Sequence, residues 1–168
     1  MIWDINGWQF VGLDTSDGIK VNGFDCHAET LTFANSLPPK LDKNRPTFVY
    51  THFPLGPGVT NRLKNADALL EPFKQLNMAA IFGGHYHAYT QKTVLQNTTV
   101  TTDVCCSFKR ANHDNTFEKG FFVVEAAEGK FKRTFVEYGT DFKGSATPDN
   151  KPLPTTRPVV TDASAPSF

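Results

Sequence analysis

Apolar and polar positions alternate along the chain in a way that predicts short strands interrupted by two helical stretches. Gly7 to Thr15 reads as a strand with Trp8, Phe10 and Gly12 on one side, followed by a turn at Ser16-Asp17-Gly18. Phe24 to Pro38 reads as a helix with His27 to Ser36 as its body. Leu31 and Phe33 to Leu37 give it an apolar side, and Pro38-Pro39 stop it. Thr47-Phe48-Val49-Tyr50 is a β-branched and aromatic strand. Within Asn65 to Leu76, Ala66, Leu69, Leu70, Phe73 and Leu76 recur at helical spacing, and Asn77 to Phe82 is a further apolar strand. This succession predicts a βαβ unit, which places the carboxyl ends of both strands at one edge of a sheet.

Two hairpins are predicted beyond it. One pairs Tyr89 to Leu95 with Thr98 to Val104 around Gln96-Asn97; the other pairs Phe121 to Glu125 with Lys130 to Tyr138 around Glu128-Gly129. From Gly139 onward the chain is rich in Pro, Thr, Ser, Asp and Lys and has almost no apolar period. Residues 140–168 are therefore expected to be a flexible tail behind a domain of residues 1–139, with Phe142 and Phe168 as anchors if the tail instead wraps the domain.

Composition narrows the class. The chain has 168 residues, 39% of them hydrophobic and 12% aromatic, which is enough for one domain with a core of its own. Seventeen basic residues balance seventeen acidic ones, so no basic surface for nucleic acid or anionic lipid is expected. No run approaches the roughly 18 apolar residues of a membrane-spanning helix, and the first residues lack the charged and apolar regions of a signal peptide. Cys26, Cys105 and Cys106 leave two readings open, a bridge from Cys26 to one of the adjacent pair or buried thiols. Asn97-Thr98-Thr99 is a glycosylation sequon that matters only in a eukaryotic secreted protein.

The chemistry gathers at three histidines. Ile81-Phe82-Gly83-Gly84-His85-Tyr86-His87-Ala88-Tyr89 places two imidazoles two residues apart just after an apolar strand, and Thr51-His52-Phe53-Pro54 places another at the end of the preceding strand. Gly83 and Gly84 are expected to take positive φ and turn the chain sharply, so that the residues after them line a cleft. Ligands of open α/β sheets bind at the carboxyl ends of strands, and imidazole coordinates metal ions while neutral. His52, His85 and His87 are thus candidate metal ligands converging on one pocket, with Leu55-Gly56-Pro57-Gly58 as a bordering loop.

The His-Phe-Pro and Gly-Gly-His-Tyr-His pair resembles the last two motif blocks of the calcineurin-like metallophosphoesterases, and Gly-His-Tyr-His-Ala-Tyr is similar to the GHxHxY block of their purple acid phosphatase branch. The resemblance covers roughly Trp8 to Val136. It implies an α/β fold, an αββα sandwich of which this chain supplies the carboxyl-terminal sheet and helices. It further implies a dinuclear centre of Fe, Mn or Zn, with His52 and His85 on one ion and His87 on the other. Leu13-Asp14-Thr15 matches the strand end that follows the family's third block, where Asp14 is expected to be a turn residue.

The family's three earlier blocks, which carry the bridging aspartate, are not found upstream of the matched region. Asp25-Cys26-His27 and Ala111-Asn112-His113-Asp114 echo two of them in the wrong order and context, and are set aside as chance matches. The resemblance therefore implies a metal-dependent hydrolase of phosphoric esters with only part of its metal site in this chain. The alternative is a non-catalytic remnant or binding module that keeps the carboxyl half of the fold. An uncovered sheet implies a homodimer or companion chain, and a secreted or periplasmic location rests on family analogy. No catalytic or substrate-binding side chain is assigned.

Overall fold

The computed structural model describes residues 1–20, 22–105, 111–116 and 118–137. The expected tail of residues 140–168, Tyr138 and Cys106 lie outside the described residues. The chain divides into two compact units: Met1–His85 with Thr90–Thr102, and Tyr86–Tyr89 with Asp103–Phe168.

The first unit is built on a six-stranded mixed sheet. Strand β1 (Ile2–Ile5) pairs antiparallel with β2 (Trp8–Gly12); β3 (Thr47–Tyr50), β4 (Met78–Gly83) and β6 (Thr98–Thr102) continue parallel to β2, and β5 (Thr90–Val94) closes the far edge antiparallel to β6. The opening residues are thus one arm of a hairpin, turned by Asn6 and Gly7 at φ 49° and 86°. Two successive positive φ values make a turn whose twist matches the strands, and Asn-Gly suits both positions.

The βαβ unit forms as predicted, with parallel β3 and β4 in register Val49 to Ile81. Its helix is shorter than the periodicity implied: α2 spans Ala66–Leu70, and Glu71–Gln75 continues as a 3₁₀ turn. Pro72 lacks an N–H, so the α-helical ladder ends there while the apolar spacing persists. The earlier helix is α1 (Ala28–Asn35), and Pro38–Lys40 forms a separate 3₁₀ turn.

Each sheet face follows from the two-residue period of strands. Val11, Val49, Ile81 and Val100 belong to a core that also holds Ala34, Leu37, Leu69 and Phe73 from the helical segments. On the opposite face an aromatic ladder crosses three strands: Trp8 stacks on Phe48 at 5.0 Å between ring centres, Phe10 lies 5.6 Å from Phe48, and Tyr50 stacks on Phe82 at 5.4 Å. Strand β2 is buried on both faces, and its Gln9 is accommodated by donating to Asp42 O and Thr47 Oγ1, each at 2.9 Å, and accepting from Asp42 N at 2.8 Å. Leu55, expected to border a cleft, is fully buried in the core, and an added Cβ on Gly56 would meet Lys92 and Val100 at 3.0–3.1 Å. Only Pro57 and Gly58 of that loop are exposed.

The hairpin of residues 90–102 forms, but it extends the first sheet through β6 and β4 instead of starting a second one. In the second unit β7 (Gly120–Ala127) and β8 (Lys130–Glu137) make a separate two-stranded sheet, turned by Glu128 and Gly129 at φ 51° and 72°. The chain is therefore α/β in character, a mixed sheet with few helices. Among the described residues no helix is long and apolar enough to cross a membrane.

Candidate metal centre

The loop after β3 is set by Thr15, which follows β2. Its buried hydroxyl accepts from the backbone N–H of His52 at 3.1 Å and of Phe53 at 2.9 Å. His52 O in turn accepts from Gly84 N at 2.9 Å, tying the loop after β3 to the loop after β4. The Leu13-Asp14-Thr15 triplet is the sequence signal for this position. Asp14 is a turn residue as expected: its carboxylate accepts from Ser16 N at 3.0 Å and Ser16 Oγ at 2.6 Å, and these bonds hold it below the usual carboxylate range. Replacing Thr15 by valine keeps the shape but strands two N–H groups, each costing about 1–3 kcal/mol. Thermal unfolding is expected to show that loss, and Thr15→Ser to recover most of it.

The glycines do something other than predicted. Neither Gly83 nor Gly84 has positive φ; His85 and His87 take it instead, at 60° and 53°. A Cβ on Gly83 would make ordinary contacts, 3.4 Å from Thr51 Oγ1 and 3.5 Å from Phe53 O, so neither φ nor space requires glycine there. Histidine is one of the side chains that tolerate the left-handed region, yet such residues cluster where a site demands them.

The result is a facing pair. His52 Nε2 and His85 Nδ1 are 3.1 Å apart, with ring centres at 5.1 Å and planes at 74°. The ring centre of His85 lies 4.0 Å from that of Phe53, which is itself buried and edge-on to Phe24 at 4.7 Å. His52 is exposed and His85 half-buried, so the nitrogens are within reach of solvent. Two ligand nitrogens each about 2.1 Å from one ion stand about 3.0 Å apart at a right angle and about 3.4 Å apart at the tetrahedral angle. The observed separation falls in that interval, so the pair fits two donors on one ion. Alternatively the pair shares one proton as a hydrogen bond between neutral rings.

His87 belongs to the second unit, where its ring lies 5.3 Å from that of His113 and Tyr86 lies 5.4 Å from the same ring. The structure thus brings His52 and His85 together, and His87 is described within its own unit. Among the described residues no group of three or more His, Cys, Asp or Glu side chains is gathered so as to hold an ion alone.

His27 precedes α1, its Nε2 is 3.4 Å from Asp17 Oδ1, and with Asp14, Glu29 and Thr30 it lines an open cavity of about 530 Å³. Cys26 is a buried free thiol whose N–H donates to Asn65 Oδ1 at 3.0 Å, and burial pushes its pKa up. Cys26 is therefore the buried thiol of the two readings. Asn112 is buried in the second unit and its side chain bonds to Cys105 N and Glu118 O.

No family model matches the chain, and no curated protein matches it. Among solved structures the chain is similar to a dimetal phosphatase from Danio rerio, at 14% identity and a TM-score of 0.52, over 65% of this chain and 35% of that one. The chain thus spans about a third of that protein's length. At that identity the likeness is one of fold alone, an α/β arrangement.

Proposed function

We propose that the chain supplies part of the metal site of a phosphoric ester hydrolase, with His52, His85 and His87 as its ligands. The observation that carries this reading is the 3.1 Å approach of His52 Nε2 and His85 Nδ1 at the carboxyl ends of adjacent parallel strands. That is where open α/β sheets bind ligands. The fold likeness to a dimetal phosphatase supports the same reaction class. Bound divalent ions in such chemistry polarise the phosphoryl oxygens and supply hydroxide near neutral pH.

The residues of this chain do the rest of the work assigned to them here. His52 is held by Thr15 through its backbone, His85 is packed on Phe53, and the two rings bring one nitrogen each to within 3.1 Å of the other. Neutral imidazoles bring no charge of their own, so carboxylates from outside the described cluster are needed to fix a second ion and its spacing. The partner in this reading is a companion segment or chain that carries those carboxylates, and the substrate is a phosphoester.

The second reading is a non-catalytic remnant or binding module that keeps the carboxyl half of the fold. Hydrolysis of an aryl phosphate tests the assignment. The 168-residue chain alone is expected to show no turnover above background with zinc(II) or manganese(II), since the chemistry requires two ions and positioned donors acting together. Strong metal-dependent turnover that is lost in His87→Ala would overturn the partial-site reading and show that these residues complete the centre.

A further inference from the structure

We infer that residues 112–116 form a brace that positions His87, with Asn112 as its keystone and the backbone N–H of His113 as its point of contact. The inference rests on the proposed ligand role of His87 and adds positioning residues that the resemblance does not supply.

The loop is closed on itself by Asn112. Its Oδ1 accepts from Cys105 N at 2.8 Å and from Lys119 Nζ at 3.3 Å, while its Nδ2 donates to Thr116 Oγ1 at 2.8 Å and to Glu118 O at 3.0 Å. The backbone of Asn112 also donates to Thr116 O at 2.8 Å and accepts from Asn115 N at 2.9 Å. At 2% exposure, every donor and acceptor of this amide is satisfied by protein. A buried polar hub with all its bonds made fixes one geometry, because any other leaves groups unpaired in a medium that penalises them.

That loop meets the histidine motif within the second unit. His113 N donates to His87 O at 3.1 Å, and the His113 ring lies 5.3 Å from that of His87. His87 needs such support, because its φ of 53° is a conformation that costs a side-chain-bearing residue about 1–2 kcal/mol. An isolated exposed loop relaxes from that region; a carbonyl held by a rigid donor does not. The Cα–Cβ direction of His87 follows from its backbone, so the brace sets the direction in which the side chain leaves the loop, and the His113 ring beside it limits the rotamers that remain. Groups that orient a ligand in this way change metal affinity by about 10–100-fold when lost.

The test uses the full 168-residue chain as wild type, Asn112→Ala, the milder Thr116→Val, and His87→Ala. Three readouts are taken: amide exchange of His113 and imidazole ¹⁵N shifts of His87, both without metal, and zinc(II) affinity by calorimetry. The brace predicts a protected His113 amide in the wild type, faster exchange and a shifted His87 ring in Asn112→Ala, and about a ten-fold weaker zinc affinity. Thr116→Val is expected to move all three in the same direction by less, and it decides the matter if Asn112→Ala fails to fold. An unprotected His113 amide, or an unchanged His87 ring in both loop variants, overturns the brace. Zinc affinity that falls in His87→Ala but not in the loop variants also overturns it. If zinc affinity is indifferent to His87→Ala while the His87 ring still shifts in the loop variants, the ligand role fails and the brace stands.

Discussion

Replacing His85 by alanine is expected to weaken zinc(II) binding by more than about 100-fold, since groups that merely orient a ligand already cost 10–100-fold. For stability, the expected order of glycine and alanine at this position is the reverse of that in a helix or strand interior. His85 has φ 60°, and its ring centre lies 4.0 Å from that of Phe53, so truncation loses a contact while the strained backbone remains. Glycine at the same position loses the same contact and relieves the backbone. His85→Gly should therefore be more stable than His85→Ala by about 1 kcal/mol, with metal binding lost in both. Chemical denaturation of the two variants, each measured beside zinc calorimetry, separates strain kept for function from strain kept for folding. Equal stability of the two would mean that the left-handed conformation at residue 85 is not a cost.

Phe48→Ala is expected to destabilise the chain by about 3–5 kcal/mol. Phe48 is 1% exposed and is flanked by Trp8, Phe10 and Phe82 on the aromatic face of the sheet. Loss of its ring removes burial and leaves a cavity between rigid neighbours that cannot collapse into it. A domain of this size has roughly 5–15 kcal/mol in total, so a fall in Tm of about 10 °C is the expected reading. Tyr50→Ala, on the same face but 39% exposed, should cost markedly less. Equal costs would indicate that the aromatic face is not packed as described.

These two sites also show what the sequence made legible. The βαβ unit was readable because β3 and β4 are buried on both faces and therefore continuous in apolar character, and because Leu69, Leu70, Phe73 and Leu76 keep helical spacing even where Pro72 converts the helix to a 3₁₀ turn. The hairpin of residues 90–102 was readable as a hairpin, but its sheet was not. Pairing of β6 with β4 is a tertiary choice that no local pattern encodes. The opening hairpin carried the strong Asn6-Gly7 signal, yet β1 is exposed along its whole length and lacks the apolar alternation that would have drawn attention to it.

At the site, residue type was informative and backbone role was not. Glycine preceding histidine suggested that glycine would turn the chain, but the positive φ falls at His85 and His87, whose side chains tolerate the left-handed region. Asn112 looked like a displaced metal motif because Asn-His-Asp is short. Its neighbours Asp114, Asn115 and Thr116 are turn-forming residues: Thr116 N and Oγ1 donate to Asp114 Oδ1 at 3.1 and 2.7 Å, and Asn115 takes a positive φ of 63°. That composition was the available signal for a closed loop.

The most direct test of the metal-site reading is anomalous diffraction from crystals of the 168-residue chain soaked in zinc(II). The reading predicts a zinc peak about 2.0–2.1 Å from both His52 Nε2 and His85 Nδ1. A zinc-soaked crystal in which those two nitrogens remain hydrogen-bonded to each other, with no anomalous peak between them, would contradict it.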